Sequence, residues 1–116
     1  MTSDMFVGFE RKPEGLEKFL VEQGYFRNRS KITPVFRHRN TWPQLFYFTQ
    51  IEHEEGSVPD WESQGYNVVA ELNINYPTND IESWEESERI AKEVTKKFNG
   101  LYYDIGLDEV FKGDEL

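Results

Sequence analysis

A chain of 116 residues is the length of one domain, and 18 Phe, Trp and Tyr residues supply enough large rings for one aromatic-rich core. The absence of cysteine excludes disulfides, thiolate metal sites and a cysteine nucleophile. Twenty-two carboxylates against thirteen Lys and Arg give a formal net charge of −9, which opposes approach to a polyanion at long range.

In chain order, Met5, Val7 and Phe9 alternate as a first strand, and Pro13 suits the first turn of a helix over roughly residues 13 to 23. Leu16, Phe19 and Leu20 form its apolar stripe, and Gly24 is placed to end it in the left-handed conformation. From Ile32 to Arg39 the period becomes two, with Ile32, Pro34, Phe36 and His38 on one face and Thr33, Val35, Arg37 and Arg39 on the other. Pro34 cannot donate to a ladder, which favours an edge position. Turn residues 40 to 44 then lead into Leu45 to Ile51, a second strand that makes a hairpin with the first.

Glu52 to Gly65 reads as an acidic loop holding one large ring, Trp61. Tyr66 to Tyr76 is the most regular strand of the chain: Val68, Ala70, Leu72, Ile74 and Tyr76 on one face, Asn67, Val69, Glu71, Asn73 and Asn75 on the other. Ser83-Trp84-Glu85-Glu86 reads as a capping box starting a second helix, with a core stripe of Trp84, Ser87, Ile90, Ala91, Val94 and Phe98 and with Gly100 closing it. Leu101 to Ile105 is a last short strand, Leu107 to Phe111 a helical turn or strand extension, and 112 to 116 an acidic tail.

The order β-α-β-β-β-α-β predicts an α+β fold: a two-layer sandwich with a mainly antiparallel sheet, a ferredoxin-like variant in element order, both helices on one face and the other face wet. Neither a basic-then-apolar leader nor an apolar run long enough to span a bilayer occurs, so the expectation is one cytoplasmic domain without membrane contact.

Charge is segregated along the chain. Residues 27 to 39 hold five bases and no acid; residues 40 to 88 hold eleven acids and no base. Arg27, Arg29, Lys31, Arg37 and Arg39 are the candidates for phosphate or nucleic acid, but no helix-turn-helix, zinc finger or RNP-type motif accompanies them. Cross-strand pairing of Arg37 and Arg39 with Glu52 or Glu71 is the favoured alternative. His38, His53 and Asp104 are the candidates for acid-base chemistry. His38 shares a face with Ile32 and Phe36, which favours a core-edge role, and Asp104 follows a strand where turn capping is usual. Glu52-His53-Glu54-Glu55 has metal-ligand composition without metal-ligand spacing, so neither metal nor cofactor is expected, and no catalytic fingerprint is present.

Trp61 between Asp60 and Glu62, with Glu54 and Glu55 nearby, has the make-up of an anchor in a charged rim; the competing reading folds the ring back as a lid over the sheet. The resulting expectation is a non-enzymatic interaction domain for a basic protein partner, similar in charge and size alone to small acidic antagonists such as those of bacterial toxins. A homodimer through the open sheet face is the other association considered, and a small enzyme the further alternative.

Overall fold

A computed structural model describes residues 1–28, 33–38, 42–52 and 58–116. Its elements in chain order are β1 (Thr2–Phe9), α1 (Leu16–Glu22), β2 (Phe26–Asn28), β3 (Val35–Arg37), β4 (Gln44–Phe48), β5 (Ala70–Pro77), α2 (Ile81–Lys97), β6 (Leu101–Asp104) and β7 (Glu109–Lys112), followed by a 3₁₀ turn at Gly113–Glu115. The strands form a seven-stranded sheet in the order β2-β3-β4-β5-β1-β6-β7, with every neighbouring pair antiparallel.

The α+β class and the antiparallel sheet are as expected, but the five-strand ferredoxin-like order is not. Phe26–Asn28 pairs with β3 as an edge strand, and the chain reverses after Asp104 to add β7 beside β6. Three- and four-residue strands carry too few alternations to announce themselves, and their identity comes from the neighbour they pair with. The β3–β4 hairpin does form, with Val35 opposite Phe46 and Arg37 opposite Gln44.

Helix ends are set by local chemistry. Past α1, Gly24 sits at φ +95°, Gly24 N donates to Val21 O at 3.0 Å and Tyr25 N to Leu20 O at 2.9 Å, the paired bonds of a Schellman motif. Helix α2 starts earlier than its Ser83 capping box implies: the Asp80 carboxylate accepts from Glu82 N and Ser83 N, and its other oxygen accepts from Ser83 Oγ at 2.8 Å. At the other end the left-handed residue is Asn99 rather than Gly100, and Gly100 N donates to Thr95 O at 2.9 Å. With that start, Ser83 and Ser87 face inward with Ile90, Ala91 and Val94, while Trp84 turns out to solvent.

Both helices pack on one sheet face. Met5, Val7 and Phe9 of β1 and Ala70, Leu72, Ile74 and Tyr76 of β5 meet Leu16 and Leu20 of α1 and Ile90, Ala91 and Val94 of α2. The two-layer picture with a wet second face fails on the opposite side. There Trp61, 1% exposed, closes over the sheet with Phe6, Val68, Leu101 and Tyr103. This explains why β1 is buried without interruption from Met5 to Phe9 instead of in alternation. Val68, expected on the helix face, precedes β5 and packs with Trp61 instead.

The indole lies where a side chain on β1 would otherwise stand. A Cβ at Gly8 would come within 2.9 Å of Trp61 Cζ2 and 2.9 Å of Val68 Cγ2. The segment is tied to the far edge of the sheet by Gln64 Nε2, which donates to Asp108 Oδ1 at 3.2 Å, and Tyr103 Oη donates to the same carboxylate oxygen at 2.7 Å. Gly8→Ala is therefore expected to lower unfolding stability by about 1–3 kcal/mol through overpacking. Trp61→Ala is expected to cost about 3–5 kcal/mol through the cavity it leaves. Chemical denaturation checks both, and a Gly8→Ala stability equal to that of wild type would contradict this packing.

Candidate functional site

The sequence candidates fall into separate places. Of the basic set, Arg27 Nη1 pairs with Glu17 at 3.2 Å on the helix side of the sheet. Arg37 lies on the opposite face, with Gln44 and Phe26 as cross-strand neighbours. Glu71, one of the carboxylates expected to meet it, stands two strands away opposite Phe48 and Gly8, roughly 16 Å off by strand geometry. Among the described residues no carboxylate pairs with Arg37, and its Nε is enclosed without an acceptor. Arg29, Lys31 and Arg39 lie outside the described residues. The two described bases of the set do not form one patch.

His38 packs against Tyr25 with ring centroids 5.0 Å apart and the rings tilted by 52°, in keeping with a core-edge role. Beside it Tyr25 Oη donates to Glu86 Oε2 at 2.7 Å, and Arg89 closes on Glu86 with two bonds of 2.8 Å. Burial and the neighbouring Glu86 carboxylate push the Tyr25 phenol far up. Tyr25, Glu86 and Arg89 satisfy one another, tying the chain after α1 to α2. Asp104 Oδ1 accepts from Gly106 N at 2.9 Å and Leu107 N at 3.1 Å, which makes it a turn-capping residue. It stands on β6, and His38 directly follows β3, four strand positions away and about 19 Å apart across the sheet, so the two share no cleft. His53, Glu54 and Glu55 lie outside the described residues.

Around Trp61 the lid arrangement is the one present. Asp60 organises the turn, its Oδ1 accepting from Ser63 N at 3.3 Å and its carbonyl accepting from Ser63 Oγ at 3.0 Å. Glu62 is exposed. The eleven acids of 40 to 88 are also divided: Glu82, Glu85, Glu86 and Glu88 belong to α2, and Glu86 and Glu88 there pair with Arg89 and Lys92. Only part of the acidic run reaches the face without helices.

That face holds the most unusual chemistry of the molecule. An open cleft of about 220 Å³ lies between β4, β5 and the segment carrying Trp61, lined by Phe6, Phe48, Gln50, Ile51, Glu52, Val58, Pro59, Trp61, Glu71 and Asn73. Glu71 and Asn73 are two apart on β5, so both side chains point into it. Burial pushes the Glu71 carboxyl up to about 7, with Asp4 on β1 adding repulsion and a hydrogen bond from Trp61 Nε1 at 3.4 Å opposing both. Asn73 Oδ1 is enclosed and accepts no hydrogen bond. Two carboxyls, Glu71 and Glu52, and an unpaired amide oxygen converge here without a cationic side chain in the described lining, and a strongly shifted carboxyl in a cleft marks a candidate site.

In the sequence Glu71 and Asn73 belong to the polar face of a regular strand, with Glu71 further read as a cross-strand partner for Arg37 or Arg39 and neither as part of a site. The signal that distinguishes them is the lid, and nothing in the local pattern places Trp61 over β1 rather than in solvent.

Comparison of the chain with protein-family models, with curated proteins and with solved structures gives no match. No helix among the described residues is long and apolar enough to cross a membrane.

The shifted Glu71 makes stability depend on pH in a definite direction. Its pKa is about 7 in the folded protein and about 4.3 in an unfolded chain. The folded state therefore holds the extra proton between those values, and stability falls as pH rises from about 4.5 to 7, then levels. Glu71→Gln removes this component and is expected to raise stability at pH 8 by about 2–3 kcal/mol, the full shift at ~1.4 kcal/mol per unit reduced for the part of the side chain that solvent reaches. Denaturation of both proteins from pH 3.5 to pH 8 checks it, with the gap between the two curves closing below about pH 4 as the internal control.

Proposed function

We propose that this protein is a non-enzymatic interaction domain that binds a basic protein partner through the helix-free face of its sheet. The observation that carries the reading is the acidic cleft under Trp61: a largely buried Glu71 carboxyl beside the unpaired Asn73 Oδ1, with Glu52 also lining it. An unpaired buried acceptor costs about 1–3 kcal/mol, and a partner that brings N–H donors recovers it. The overall charge of −9 steers such a partner in from beyond contact distance.

The separate positions of His38 and Asp104 favour binding over acid-base chemistry. The division of Arg27 and Arg37 between opposite faces favours a protein over a nucleic acid. The anchor role first considered for Trp61 passes to the cleft that its ring roofs.

Titration of the isotopically labelled chain with a Lys- and Arg-rich peptide at low and at high salt tests the reading. Amide shifts are expected in residues 58 to 62 and 69 to 75, with an affinity that falls as salt rises, because the exposed part of the attraction is screened within about 10 Å at 0.1 M. Shifts confined to the outer faces of α1 and α2, or no binding at low salt, would overturn it.

A further inference from the structure

The cleft under Trp61 is small and specific enough to say which side chain of a partner it fits. At about 220 Å³ it lies below the roughly 300–1,000 Å³ typical of small-molecule and cofactor pockets, and it opens sideways to solvent. One long side chain fills it. Flat apolar groups make up much of its wall, the Phe48 ring, Pro59, Phe6 and the indole of Trp61, with the Gln50 amide beside them. Its floor holds Glu71 and Asn73, about 6.8 Å apart along β5. Trp61 Nε1 occupies Glu71 Oε2, and Glu71 Oε1 accepts nothing among the described residues.

A planar group with donors on several edges suits this arrangement, lying along the rings while bonding to two acceptors at once. The guanidinium group does both, being weakly hydrated and carrying five N–H donors in a fixed fork. An ammonium is a compact, strongly hydrated charge that gives up more water on entry and has no face to lay on a ring. The Asn73 amide meets such a ligand by turning about its last torsion, which is broad and low in barrier.

We infer that this cleft is a subsite for a single arginine side chain of the partner, with Glu71 and Asn73 as its two acceptors and Phe48 and Pro59 as its walls. The inference rests on the basic-partner reading above and narrows it from charge to side-chain identity. Among the described residues Asp4 and Glu52 are further carboxylates that add to the attraction for a cation at Glu71.

Two peptides of equal length and charge, one with arginine and one with lysine at every basic position, separate the two ideas when titrated against the full chain. The arginine peptide is expected to bind about tenfold more tightly, as one additional charge-assisted hydrogen bond implies, and to move the Trp61 indole N–H resonance. Glu71→Gln and Asn73→Ala are each expected to shrink that preference to within about twofold. Equal affinity of the two peptides with an unmoved indole resonance would overturn the arginine subsite and leave the basic-partner reading standing. Failure of both peptides to bind at low salt would overturn both. An arginine preference that survives Glu71→Gln and Asn73→Ala together would show that the guanidinium is read elsewhere and likewise overturn the subsite.

Discussion

The structure turns on one close approach, the indole of Trp61 against the backbone of β1 at Gly8. No side chain fits beneath the ring at that position. Because the ring sits there, the central strand is buried on both faces, Val68 leaves the helix side to join it, and Glu71 and Asn73 lose most of their water. A large aromatic buries about 150–250 Å² and so contributes several kcal/mol to folding. That contribution offsets the cost of holding a desolvated carboxyl and an unpaired amide oxygen in the same place.

The core therefore has two parts of different character. The helix side is conventional, with Leu and Ile from both helices meeting alternate residues of β1 and β5. The lid side is smaller and is secured at its far edge by polar contacts to Asp108. The helical layer and the cleft are thus separated in space: α1 and α2 cover one face, and the cleft lined by Glu71 and Asn73 opens on the other. Natural proteins commonly keep local conflicts of this sort, a half-buried acid with no cation, where a ligand is to be received.

Charge counting along the chain misjudged the surface for a related reason. The basic run and the acidic run are neighbours in sequence, but a strand sends successive side chains to opposite faces and a helix carries others away altogether. Arg27 goes to Glu17, Arg37 faces the other side, and Glu86 and Glu88 pair within α2. Four of the eleven acids between 40 and 88 lie on α2, so the open face is less acidic than the run suggests, and its chemistry comes from desolvation more than from number.

The sequence by itself determined the α+β class, the β3–β4 hairpin, the polar face of β5, the Gly24 end of α1 and the core stripe of α2 from Ser87 to Val94, because each depends on periodicity or on capping within a few residues. It determined the composition of the lid but not its position. Only the tertiary structure decided the edge strands β2 and β7 and the burial of Trp61, since these rest on contacts with partners distant in the chain. Glu71 shows the difference most plainly: its place on a strand face follows from the period of two, whereas its shifted ionisation follows from a ring ten residues earlier that long-range packing folds over it.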